Sequence, residues 1–176
     1  MRLALLAEFD SPRAALDAAR GLRTLGYTAL DLHSPYPLAG AAEALGLPRS
    51  RLPIAVLAAA VVGGAGAYFM QWWMNAVDYP LAVGGRPAHF PLAFVPVSFE
   101  LLVLAAAFAA VGTFFALAGL PRLWHQVFEA PGFDRASIDR FWLSVEGHDP
   151  RFDPERTSAE LTRRGALAVV LTGGDR

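Results

Sequence analysis

The side chains able to do chemistry are few and scattered. His33, His89, His125 and His148 are spread along the chain without the helical or Cys-His spacing that a metal centre needs, and there is no cysteine. Each histidine reads as a solvated or interfacial residue. Without cysteine the chain cannot ligate an iron–sulfur cluster through thiolates or attach a c-type haem through Cys-x-x-Cys-His, and no disulfide points to a compartment. The run His148-Asp149-Pro150-Arg151-Phe152-Asp153 brings acid and base together on paper. A turn accounts for Asp149-Pro150, and a helix cap for Asp153. The serines lack a Gly-x-Ser-x-Gly elbow. Gly63-Gly64-Ala65-Gly66 has the composition of a phosphate loop but does not follow a strand. No catalytic, cofactor-binding or metal-binding residue is expected in this chain.

Glu100 is different, because it is a carboxylate inside a long apolar run. Two readings stand. An ionisable group at membrane depth is costly and commonly functional, which makes Glu100 a candidate proton relay or partner-contact acid. If the helix instead begins near Val95-Pro96, Glu100 falls in its first turns near the outer interface, where the helix dipole favours an acid. The second reading is preferred. Gln71 reads as an interfacial side chain.

The elements that position these residues divide the chain in two. Between Leu52 and Pro121 the only charged residues are Asp78, Arg86 and Glu100. A transmembrane helix needs about 20 predominantly apolar residues to cross a hydrocarbon core of about 30 Å. Two spans are therefore expected, at about 53–77 and 95–120, joined by a loop at about 78–93. Ala59, Gly63 and Ala67 recur every four residues and give the first span a smooth face for close helix packing. That face packs either on the second span or on a neighbouring protein of an assembly. No histidine lies within either span to ligate haem.

Outside the spans the pattern is α/β-like. Leu3 to Phe9 reads as a strand, and Ser11-Pro12 opens a helix that runs to about Leu25, before Gly26. Tyr27 to Leu32 alternates as a second strand, and a short helix follows from Leu38 to Leu45. The pattern then repeats after the second span. Arg140 to Glu146 reads as a strand, Asp153-Pro154 opens a helix through Arg164, and Ala166 to Leu171 is a last strand. Pro121 to Gly132 reads as an irregular aromatic segment near the membrane surface. The expected architecture is an α+β membrane protein. A discontinuous domain, 1–51 and 122–176, joins two βαβ units in a ferredoxin-like sheet, and the hairpin 52–121 is inserted between them.

Arg49, Arg51 and Arg122 flank the spans, whereas the loop has Arg86 opposed by Asp78, so both termini are expected in the cytoplasm. The apolar run at the N-terminus is cut short by Glu8, too short for a signal-peptide core, which agrees. The net charge of −1 does not suit a nucleic-acid partner.

Several of these segments together resemble the D-type component of the bacterial alternative complex III. They are Tyr36-Pro37, Leu47-Pro48-Arg49-Ser50-Arg51-Leu52-Pro53, Trp72-Trp73, Asn75-Ala76-Val77-Asp78-Tyr79-Pro80-Leu81 and Gly84-Gly85-Arg86-Pro87. The likeness continues through Phe94-Val95-Pro96-Val97-Ser98-Phe99-Glu100-Leu101, Gly119-Leu120-Pro121-Arg122, Phe128 and the turn 149–153, and so covers about Tyr36 to Asp153. The resemblance implies a complex of the bacterial inner membrane that oxidises quinol and passes electrons to periplasmic carriers or a terminal oxidase. Haem c and iron–sulfur clusters would sit in partner subunits, with this chain an accessory two-span subunit among them, in contact with lipid and without a cofactor of its own. The alternative is a stand-alone membrane-tethered ferredoxin-like sensor or interaction module.

Overall fold

The computed structural model describes residues 3–80, 84–121 and 124–173. Leu81 in the loop, the flanking Arg122 and the chain ends, 1–2 and 174–176, lie outside the described residues, as do 82–83 and 123. The protein is α+β, with a four-stranded antiparallel sheet and two helices long and apolar enough to cross a membrane. It divides into two units, one made of Met1–Pro48 with Leu123–Arg176 and the other of Arg49–Arg122.

In the first unit the strands are β1 (Ala4–Phe9), β2 (Leu30–His33), β3 (Phe141–Glu146) and β4 (Ala168–Thr172). Their order across the sheet is β2-β3-β1-β4. β1 pairs with β3 through Ala4↔Glu146 to Phe9↔Phe141, and with β4 through Ala4↔Thr172 to Glu8↔Ala168. Its two neighbours therefore both come from the far end of the chain.

Helix α1 (Pro12–Thr24) opens on Ser11, whose side chain accepts from the Ala14 N–H, with Pro12 in the first turn. It buries Ala15, Ala18, Ala19 and Leu22, the i, i+3, i+4, i+7 stripe of a helix lying on a sheet. A further helix of this unit, α5 (Pro154–Arg163), repeats the device, with Asp153 accepting from Arg156 N–H at 2.8 Å and Thr157 and Leu161 buried. Both stripes join the core over Leu5, Ala7, Phe9, Leu143 and Val145. Burial of Phe9 alone contributes about 1.5–3 kcal/mol.

The opposite sheet face is covered too. Ala4, Leu6 and Trp142 pack with Val127, Phe133 and Ala136 from two short 3-10 turns, Gln126–Glu129 and Phe133–Ser137, and with Ala130 between them. The segment read as irregular surface chain is thus partly a second cover layer, although Trp124 and Phe128 are exposed. The reason lies in β1 and β3, which are apolar on both faces and cannot leave either one to water.

Some boundaries differ from the sequence reading. β2 starts at Leu30 because the N–H groups of Thr28 and Ala29 are taken by the Asp149 carboxylate, at 2.6 and 2.7 Å, and not by a strand. The helix expected from Leu38 is the shorter α2 (Ala41–Leu45), between Gly40 and Gly46, both at positive φ.

In the second unit, α3 (Leu52–Trp73) continues into a π-helical turn, Met74–Asp78, and α4 spans Pro91–Ala118. α4 begins at Pro91, not near Val95. Phe90 is extended and Pro91 opens the helix, while Pro96 is absorbed inside it. The two helices pack antiparallel, with Gly63 against Leu101 and Ala105, and Gly64 against Leu102.

Candidate functional site

The helix pair of the second unit gathers several of its polar groups at one end of the seam. Gln71 Nε2 donates to the Ala67 carbonyl at 3.2 Å, the Phe94 carbonyl at 3.1 Å and Ser98 Oγ at 3.0 Å. One amide thus ties α3 to both backbone and side chain of α4. Asn75 Nδ2 donates to the Gln71 carbonyl at 2.8 Å. Just beside the tie, Tyr68 Oη and His89 Nε2 are 2.8 Å apart, and both rings meet Phe94. Phe94 and Ala67 are buried, at 1% and 4% exposure. In hydrocarbon no water competes for these groups, so such bonds hold two helices in register. Phe69, Trp72 and Trp73 stack on one another at the same end of α3.

The small-residue stripe lies along the same seam. A Cβ on Gly63 would come within 2.5 Å of Ala105 Cβ and 3.1 Å of the Leu101 carbonyl, and Ala67 is buried next to Gln71. Ala59, one turn earlier than Gly63, is half-buried. Glu100 does not join this seam. It is exposed, nine residues into α4, and none of the hydrogen bonds or ion pairs of the described residues involves it. It is therefore deeper in the helix than the first turns.

In the sheet unit the most connected charged group is Asp149. Besides the Thr28 and Ala29 N–H groups, Oδ1 accepts from Arg151 N–H at 2.8 Å, and Thr28 Oγ1 lies 3.3 Å from Oδ2. Burial pushes this carboxyl up, but the backbone donors of Ala29, Arg151 and Thr28 outweigh it and hold it below the ordinary carboxylate value. The turn expected at Asp149-Pro150 is thus also a clamp on the entrance to β2. Tyr27, beside it, is buried and its Oη is 2.9 Å from Thr157 Oγ1.

His33 lies at the end of β2 with its ring edge against Phe133, centroids 5.1 Å apart, and its Nε2 buried without a partner among the described residues. Burial lowers its affinity for a proton, with Asp31 opposing and His125 adding to the effect. His125 Nδ1 accepts from the Val127 N–H, and Gln126 Nε2 donates to Glu146 at 3.0 Å. His148 is exposed at the turn before Asp149. Among the described residues no three His, Asp or Glu side chains gather to hold a metal ion.

A cleft of about 800 Å³ runs beside α5, lined by Leu25, Tyr27, Arg151, Asp153, Arg156 and Arg163 among others. Its two acids are engaged, Asp153 as the helix cap and Glu160 with Arg164 at 2.7 Å. The interhelical tie joins α3 to α4, and the Asp149 clamp joins the entrance of β2 to the turn after β3.

Sequence reasoning passed over Gln71, His89 and Asp149 as anchors. The available signal for Gln71 was its partner in type, Ser98, the polar residue at the matching depth of the other apolar run. For the clamp of Asp149 on Thr28 and Ala29 there was none, since these partners lie about 120 residues away.

Among models of known families, the one described as ActD, alternative complex III, ActD subunit, matches residues 3–171. No curated protein matches the chain.

Proposed function

Because this chain belongs to the ActD family of alternative complex III subunits, we propose that it is the accessory two-span subunit of a quinol-oxidising respiratory complex, without an active site of its own. Electrons would pass from membrane quinol through haem c and iron–sulfur clusters in partner subunits to periplasmic carriers or a terminal oxidase. This chain would supply an anchor and a soluble face. The observation that carries the reading is the Gln71 tie, which spends the main polar side chain of α3 on holding α4 instead of presenting it to a substrate. Further support comes from the absence of cysteine, which leaves iron–sulfur and c-type haem ligation to other chains.

The sheet unit is read as ferredoxin-like. Its strand order, β2-β3-β1-β4, with α1 and α5 on one face, fits two interleaved βαβ units. We place this unit and both termini in the cytoplasm of a bacterium, with the loop between α3 and α4 in the periplasm, from the arginines at 49, 51 and 122 against the single Arg86. The bilayer would be the inner membrane.

Purification in mild detergent tests the subunit reading. The chain is expected to elute with a multihaem cytochrome and large multi-span subunits. Elution as a free monomer or homodimer would favour the stand-alone sensor module instead. Fusions test the orientation: alkaline phosphatase attached after the last residue should be inactive, and an active fusion would overturn the assignment.

A further inference from the structure

Glu100 is the one charged residue of α4, and it points away from α3. It lies about 13 Å along the helix from Pro91, at about 1.5 Å per residue. The groups that meet α3 include Phe94, Ser98, Leu101, Leu102 and Ala105. Glu100 belongs to the opposite face with Pro96, Val97, Val103, Leu104 and Val111, all exposed.

This face carries a second unmet acceptor. Pro96 has no N–H, so the carbonyl of Leu92, one turn earlier on the same face, loses its helical donor. Pro96, Glu100 and Leu92 share one stripe by their four-residue spacing. The stripe therefore offers a carboxylate and a free carbonyl and no donor. In hydrocarbon an unmatched ionised carboxylate is costly, and such groups pair with a donor or face the interior of a bundle.

We propose that this face of α4 docks a transmembrane helix of another subunit, and that Glu100 accepts hydrogen bonds from a basic side chain on that helix. The inference rests on the subunit reading above and names the chemistry of the contact. The helices of a second copy of this chain supply no such base, because neither α3 nor α4 contains an arginine, lysine or histidine. Lipid tails cannot supply it either. The complement is a helix that carries its own base at matching depth, and the branched aliphatic residues around Glu100 exclude water from the pair.

The test uses the whole complex purified in mild detergent from cells carrying Glu100→Leu or Glu100→Gln. Leucine is favoured in lipid, so the amount of the variant chain in the membrane reports its insertion separately from its assembly. The ratio of this chain to the other subunits is expected to fall about tenfold or more for Glu100→Leu, the scale for removing one member of a buried charge pair. Glu100→Gln should be retained at an intermediate ratio with its activity in proportion, since its amide oxygen still accepts. Full retention of Glu100→Leu would mean that the face meets lipid, and would overturn the proposal. A fully assembled but inactive Glu100→Gln complex would overturn it in favour of a proton relay. If the unaltered chain itself fails to elute with other subunits, the subunit reading falls first and this inference with it.

Discussion

Asp149 and His33 show how single groups set the tolerance of the sheet unit to pH. The Asp149 carboxylate is held below its ordinary value of 3.8, so its contribution is complete above that value and is lost as pH falls through the lowered one. Asp149→Ala strands the N–H groups of Thr28, Ala29 and Arg151 and should cost on the order of 2–3 kcal/mol, by the scale for hydrogen bonds to charged groups. Denaturant titration of the detergent-solubilised chain would measure it, and an unchanged midpoint would show that water replaces the clamp. His33 acts in the same sense, over a higher range of pH. Its proton affinity is below the ordinary value of 6.5, mainly through burial, so the unfolded chain binds the proton more tightly. Stability should therefore fall as pH drops from 6.5 toward the lowered value, and His33→Phe, which keeps the edge contact to Phe133, should flatten that part of the profile.

At the scale of elements, the α3–α4 pair depends on where its small residues face. Gly63 meets Ala105 and the backbone of Leu101, whereas a Cβ on Gly66 would meet nothing within 4 Å. Gly63→Leu should thus force the helices apart, and Gly66→Leu should be tolerated. Thermal aggregation of the detergent-solubilised chain should start at a lower temperature for the first variant alone. Equal behaviour of the two would mean that the seam is not set by close packing. Gln71→Leu removes three contacts from one amide and should cost about 0.6–2 kcal/mol, the range for interhelical hydrogen bonds in membranes. Apolar length and composition were enough to find both helices. The start of α4 was missed because Pro96 looked like a helix opening, and the earlier Pro91 already served as one.

For the molecule as a whole, the decisive fact is that β1 lies between β3 and β4, the strands that follow the membrane helices in sequence. A chain truncated after Pro121 retains β1, α1 and β2 but leaves β1 without either neighbour and removes Phe141, Leu143, Val145 and Leu161 from the core that α1 joins. Residues 3–48 of such a fragment should be digested by protease far faster than in the full chain, and equal resistance would show that the first segment folds alone. The sequence by itself determined the two apolar helices, the capped helices after Ser11 and Asp153, the strand segments and the family likeness, because each rests on neighbouring residues or on a run of one composition. Tertiary structure alone decided that Asp149 closes β2, that the 3-10 turns cover the second sheet face, that Gln71 binds α4, and that Glu100 turns away from α3. These depend on contacts between residues far apart in the chain and on which way a helix face is rotated, and local sequence pattern encodes neither.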